Sequence, residues 1–449
     1  MSGSHVQQTF QIGEGQLHRH VRAGVWQGIS SIAWNDVVHE SWDSAVASGA
    51  LVNQNACDIP LRIVDLFSGC GGLTSGVVDA ARSVGLSPSV EIASDFDLPT
   101  SEIHAYNFKP KHSIVTNLWE IVDVNISGHG ATASFAGEPL IYSPDIMALR
   151  GNVDVVIGGP PCQGRSTANN HTRFDDSRNV LYLVMPAVAV ALRAPMLIIE
   201  NVMNIYRDHS QVVQTTRAVL EKEGYEVVDS VVDCLGIGVP QTRRRHILVA
   251  VKSHKPLLNE ALNALAEEPR SVGWAIEDLL DVEEETIFDK PAQLSPTNRE
   301  RIRYLFEHGE YEMPNHIRPD SHKDGHTYPS VYGRLHWDQP AGTITTGFHT
   351  PGRGRYIHPL EQRTLTPHEA ARIQGFPDSF QFRLADGSMP ARQVLAQCIG
   401  DAVPPKLGYA AALAALAALD PSQLSNAPAP QPEPLRVRRR LPLPGSLKE

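Results

Sequence analysis

The chain has 449 residues, enough for one large domain with a smaller one beside it. A content of 42% hydrophobic and 20% charged residues allows a sizeable core, and no apolar run forms a secretory h-region or reaches membrane-spanning length, so the protein is expected in the cytoplasm. The formal net charge of -11 weighs against a nucleic-acid partner, but only weakly, because phosphate contacts depend on the potential inside a cleft rather than on the total.

Residues 1–60 carry no strong period beyond a short helical pattern around Asp36–Ala47. From Leu61 the text changes. Leu61–Phe67 reads as a buried strand, followed by a glycine-rich turn and a helix through Val84. Val90–Ser94, Val153–Ile157 and Met196–Ile199 read as further strands, with a helix over Leu181–Leu192, and Val227–Val232 and His246–Val251 close the series. Strands alternating with helices predict an α/β fold with a parallel, doubly wound, Rossmann-like sheet.

After Lys252 the alternation stops. Residues 253–358 are rich in Pro, Gly, His and charge, with a capped helix start at Ser295-Pro296, and read as a second, smaller, irregular domain. Helices return at Thr366–Ile373, stopped by Gly375, and at Leu407–Leu419, so residues 359–419 rejoin the first domain. Residues 420–449 form a Pro- and Arg-rich tail whose composition predicts disorder. The cysteines, Cys57, Cys70, Cys162, Cys234 and Cys398, are scattered without a CxxC pair, so neither a metal site nor a disulfide framework is expected.

Three places carry chemistry. Asp65-Leu-Phe67-Ser68-Gly69-Cys70-Gly71-Gly72 lies at a strand-to-helix turn, where glycines let the backbone approach a ligand. About 20 residues on, Asp95 ends the next strand, suited to ribose hydroxyls, with Phe67 or Phe96 able to stack on an adenine. An adenosine-containing cofactor is the better reading than a bare tight turn, and no GxxxxGK[ST] run points to a nucleoside triphosphate.

In Gly158-Gly159-Pro160-Pro161-Cys162-Gln163-Gly164 two prolines stiffen the chain just ahead of a cysteine at the carboxyl end of a strand. Such rigid presentation favours a nucleophile over a buried structural thiol. Glu200-Asn201-Val202 also emerges at that edge, and a glutamate there can hydrogen-bond or protonate a ring nitrogen. In Gln241-Thr242-Arg243-Arg244-Arg245, period-2 alternation places Arg243 and Arg245 on one face, where two guanidiniums suit a carbonyl oxygen and a phosphate.

Taken in order, DLFSGCGG, the PPCQG box, ENV and QxRxR resemble the DNA cytosine-5 methyltransferase family. So does the downstream text: Arg334 to Thr345, His358-Pro359, Arg363 to Thr366, Ala371 to Asp378, and Ile399 to Pro405. The likeness covers nearly all of residues 61–415. It implies S-adenosylmethionine as methyl donor and double-stranded DNA as partner, with Cys162 adding to C6 of a flipped cytosine and Glu200 at N3. Arg245 is similar to the residue that holds O2, and Arg243 to the one that supports the active-site loop. Phe67, Ser68, Gly69, Cys70, Gly71, Gly72, Asp95, Phe96, Asn117, Pro160 and Asp401 resemble the cofactor pocket. Residues 163–178, with Gln163, Arg165, Ser166 and Arg178, are similar to the loop that closes over DNA.

The resemblance also implies target recognition by residues 253–358, chiefly 253–333, which lack family text. It further implies a monomer and a companion restriction enzyme. Three positions depart from the pattern: Arg165 stands for an aromatic, Asn117 for an acid, and Asp401 for an asparagine. A tRNA methyltransferase on the same scaffold lacks support, since its Cys-Phe-Thr signature is missing. A non-catalytic DNA-binding regulator is disfavoured by the intact Cys162, Glu200, Arg243 and Arg245. A carboxylated donor would be repelled by Asp401.

Overall fold

The computed structural model describes residues 59–161, 181–207, 211–282, 285–323, 330–420 and 423–424. It also describes the backbone of three antiparallel strands at Gln7–Ile12, Gly15–His20 and Ile29–Ser30. The helix expected over Asp36–Ala47 and the tail after residue 424 lie outside the described residues.

The centre is a seven-stranded sheet built from β1 (Pro60–Leu66), β2 (Ser87–Asp95), β3 (His112–Val115), β4 (Val155–Gly158), β5 (Met196–Val202), β6 (Glu226–Asp233) and β7 (Arg244–Val251). Their order across the sheet is β6-β7-β5-β4-β1-β2-β3. Neighbours from β5 to β3 pair in parallel, whereas β7 runs antiparallel to both β5 and β6. This reversal departs from the all-parallel reading. Residues 234–243, which join β6 to β7, hold a 3-10 turn at Cys234–Ile237 and no crossover α-helix, and a parallel connection needs a longer one. Strand β3 also went unread, because its four residues are half or fully exposed and carry little apolar signal.

The side-chain period of two sorts each strand onto both faces. Leu61, Ile63, Val155, Ile157, Met196 and Ile198 face one layer, while Val64, Leu66, Val156, Leu197 and Ile199 face the other. The first layer holds α1 (Gly72–Ser83) and, late in the chain, the Ala/Leu helix α10 (Pro405–Ala418), buried along its whole length. These two helices cross closely. A Cβ added at Gly76 would come 2.0 Å from Pro405 O and 2.4 Å from Tyr409 N. The second layer holds α3 (Val184–Leu192) and α4 (Val212–Lys222); α2 (Leu98–Phe108) follows β2.

Beyond β7 come α5 (Leu258–Ala264), α6 (Val272–Ile276), α7 (Pro296–Glu307), α8 (Pro367–Gln374) and α9 (Arg392–Asp401). Helix α8 starts at the capping box Thr366/Glu369 and stops at Gly375, which adopts φ +91°. The segment 253–358 does not pack as one body. Leu258, Ala261 and Leu265 join the first helical layer, and Val272, Ala275 and Ile276 pack with Ile373 and Phe376 of the α8 region. Ile302, Leu305, Met313, Val331, Tyr332 and Ile357 make a small cluster of their own. Gln241, ahead of this segment, pairs with Ala341 inside it, and Thr242 with Gly342, in a two-residue parallel ladder. Among the described residues, no helix is long and apolar enough to cross a membrane.

Candidate active site

The carboxyl ends of β1, β2, β4 and β5 open into one cleft of about 2070 Å³. That exceeds the roughly 300–1,000 Å³ of a small-molecule pocket, so it has room for a nucleoside-sized ligand and part of a larger partner.

One end is built by the turn after β1. Phe67 takes φ +54° and Gly69 φ +53°, conformations that bend the chain back over the strand end. The turn is pinned by Asp95, the last residue of β2, whose Oδ2 accepts from Gly69 N at 2.9 Å and Oδ1 from Asp97 N at 3.0 Å. Burial raises the Asp95 carboxyl above its ordinary value, and the amides of Asp97, Gly69 and Phe96 pull it back down. Phe67, Ser68, Gly69, Cys70, Gly72, Asp95, Phe96 and Pro160 all line the cleft.

Gly71 does not. It caps α1 at φ +100°, where a Cβ would strike the Phe108 ring. Asn117 also lies outside the lining, exposed, and its side chain accepts from Trp119 N to cap a short helix.

The turn fits an adenosine-type ligand. Phe96 is 65% exposed, an unusual state for so large an apolar ring, and presents a stacking face. Ser68 Oγ is buried without a hydrogen-bond partner, and a Cβ at Gly69 would meet open space. Each Asp95 oxygen keeps a lone pair beyond its amide bond.

The other end holds the charges. Glu200, at the end of β5, is 7% exposed, and Arg245 Nε stands 3.0 Å from its Oε1. The reversed direction of β7 makes this possible, since Val202 pairs with Arg245 at the strand ends. Burial raises the Glu200 carboxyl, while Arg245, Arg243 and His246 lower it. A Cβ on Gly159 would lie 3.4 Å from Glu200 Oε2, so the carboxyl sits beside the backbone that leads to Cys162. Cys162, Gln163, Arg165, Ser166 and Arg178 lie outside the described residues.

Arg243 is almost completely buried. It donates to Ile344 O at 3.0 Å, Ala402 O at 2.8 Å and Gly400 O at 3.4 Å, tying the chain just after the Ala341–Gly342 ladder to the end of α9. Burial and the neighbouring Arg245 push its pKa down to about 9. Asp401 lies between the two ends. Desolvation raises its carboxyl, Arg243 and Arg245 lower it, and Asp95 raises it.

Two contributors escaped the sequence reading. Asn201 Nδ2 donates to Pro160 O at 3.0 Å, fixing the carbonyl two residues before Cys162. Gln241 and Gln374 form a buried clasp, with Gln241 Nε2 donating to Gln374 Oε1 at 2.6 Å and Gln374 Nε2 to Ala402 O at 2.5 Å. The ENV and QxRxR motifs contained the first residue of each pair, but only the fold reveals its acceptor.

A cleft at the carboxyl edge of a doubly wound sheet, with a nucleoside-type turn at one end and a buried acid–guanidinium pair at the other, defines an α/β enzyme acting on a polar heterocycle. The chain belongs to the C-5 cytosine-specific DNA methylase family, whose model matches residues 61–416. It is 40% identical to the type II methyltransferase M1.BsuMI of Bacillus subtilis over 79% of this chain and 80% of that one. Two solved structures share the fold. A putative DNA modification methyltransferase from an Escherichia coli prophage aligns with TM-score 0.53 and 20% identity over 80% of this chain and 99% of its own. The Dnmt2 methyltransferase of S. pombe aligns with TM-score 0.52 and 17% identity over 79% and 98%.

Proposed function

We propose that this DNA cytosine-5 methyltransferase acts on a cytosine turned out of double-stranded DNA, through a covalent bond from Cys162 to C6. The observation that carries the reading is the Glu200–Arg245 pair beside the backbone leading to Cys162, in the same cleft as the Phe67–Gly72 turn.

C5 of cytosine is a poor nucleophile. Addition of the Cys162 thiolate to C6 makes it enamine-like, and charge then builds on the N3 side of the ring. Glu200, whose carboxyl pKa burial raises above its ordinary value, exchanges a proton with N3, and Arg245 both steadies that carboxyl and offers N–H groups to O2. Asn201 sets the Pro160 carbonyl and so the approach of the cysteine. S-adenosylmethionine supplies an electrophilic methyl group when bound. Asp95 would hold its ribose, Phe96 its adenine, and Ser68 and the turn its remaining polar atoms. Loss of the C5 proton and expulsion of the thiolate restore the aromatic ring and the enzyme. Relatives named as type II methyltransferases support host-DNA modification beside a restriction enzyme as the biological setting.

Duplex DNA carrying 5-fluorocytosine at the target tests the chemistry. The unmodified protein should form an adduct that survives denaturation, and Cys162→Ala should form none while melting normally. An adduct in Cys162→Ala would refute the assignment.

A further inference from the structure

Besides the sheet edge, residues drawn from 330–356 line the cleft. The described arginines lining the cleft are Arg243, Arg244, Arg245, Arg353 and Arg355. Four of them are spent within the protein. Arg243 serves three carbonyls, Arg244 pairs with Asp233 at 3.1 Å, and Arg245 pairs with Glu200. Arg355 pairs with Glu312 and donates to Tyr311 O and Arg334 O. The Arg353 guanidinium, exposed to the cleft, has no hydrogen-bond or ion-pair partner among the described residues, while its backbone amide donates to Thr350 O at 3.1 Å.

Its backbone and stem are nevertheless held. The turn Pro351–Arg353 accepts a hydrogen bond at Pro351 O from Tyr332 N, 2.8 Å, and Tyr332 adopts φ +59° to make it. On either side the chain is packed too closely for a Cβ. One at Gly352 would lie 2.9 Å from Tyr332 Oη, and one at Gly354 2.5 Å from the Tyr356 ring. The stem of Arg353 rests on Gly347, where a Cβ would fall 2.6 Å from Arg353 Cβ and 2.9 Å from its Cγ. Tyr356 links the turn to the site floor, its hydroxyl bonding Thr345 Oγ1 at 2.8 Å next to the Ile344 carbonyl that Arg243 holds. The result is a fixed base carrying a free planar fork.

A phosphate can be met by any cation, but a base edge is best met by a planar, unpaired fork on a positioned stem. We propose that Arg353 reads a guanine edge of the target duplex, donating in bidentate fashion to O6 and N7. This inference rests on the reading of the cleft as a DNA cytosine site.

The test uses a library of duplexes randomised around a cytosine, methylated by wild type, Arg353→Ala and Arg353→Lys and read by bisulfite sequencing. Melting temperature and S-adenosylhomocysteine binding check that both variants are folded. Preference for one guanine in the wild-type motif should fall at least about tenfold in both variants while other positions hold, because lysine keeps the charge but not the fork. An unchanged motif in Arg353→Ala overturns the proposal. So does a uniform slowing that lysine restores, which would mark a phosphate contact. No methylation by wild type would instead remove the underlying function.

Discussion

Arg245 Nε lies 3.0 Å from Glu200 Oε1, yet the Glu200 carboxyl still sits above its ordinary pKa, because burial outweighs the attraction of the guanidinium. Burial thus works against the negative charge that the guanidinium supports. Replacing Glu200 with Gln should leave S-adenosylmethionine binding intact in calorimetry and slow turnover by roughly a hundredfold or more. Lost donor binding with normal turnover would move Glu200 out of the substrate end.

Removing the cation should shift the same group further. Arg245 favours the carboxylate, so Arg245→Met raises the Glu200 pKa beyond its present elevation. Where the protonated acid is the working form, the alkaline limb of kcat/KM should move to higher pH as its height falls. A limb that stays put would show that another group sets it.

Arg243 predicts a stability effect. Its loss leaves the carbonyls of Ile344 and Gly400 buried without their donor, at about 1–3 kcal/mol per unsatisfied group, while Ala402 O keeps its bond from Gln374 Nε2. Arg243→Met should lower the denaturation midpoint clearly, and Arg243→Lys, which cannot span all three acceptors, should recover only part of it.

His358 supplies a pH dependence. It is fully buried, and its Nδ1 accepts from the amides of Leu360 and Glu361. Burial, helped by Arg363, lowers its pKa from 6.5 to about 3. The unfolded chain thus binds a proton below 6.5 that the folded one refuses. The contribution is complete above pH 6.5 and is lost as pH falls toward 3, at up to about 1.4 kcal/mol per pH unit. Urea titrations should show this slope reduced by one proton in His358→Asn.

The crossing of α1 and α10 leaves no space for a methyl group at Gly76, where the neighbours are the backbone of Pro405 and Tyr409. Gly76→Ala should cost about 1–3 kcal/mol by thermal or urea melts, despite alanine's better helix propensity.

Much of this architecture was legible beforehand. The apolar runs at Leu61, Val153 and Met196 marked buried strands because a two-sided sheet leaves them no polar face. Asp95, Glu200 and Arg245 were legible because each lies at or within two residues of such a strand's end. The reversal of β7 was not, since a buried antiparallel strand has the same composition as a parallel one. Asn117 and Gly71 show the limit of motif reading: a side chain that caps a helix and a glycine that starts one look the same in sequence as ligand contacts. Residues 253–358 read as one irregular block because their helices are short, and only packing separates the parts held by the large cores from the small cluster around α7.

The short ladder between Gln241–Thr242 and Ala341–Gly342 brings together two points that the intervening chain separates widely in sequence. It works as a clasp at the neck of a long excursion, much of which, from α7 to Tyr332, leans on its own few apolar residues. That part could be lengthened, shortened or exchanged without disturbing the clasp or β7, whose Arg245 sits between the ladder strands in sequence but inside the main sheet in space. An enzyme built this way is expected to vary its outer surface by recombination within that part, while its chemical grammar passes unaltered from parent to offspring.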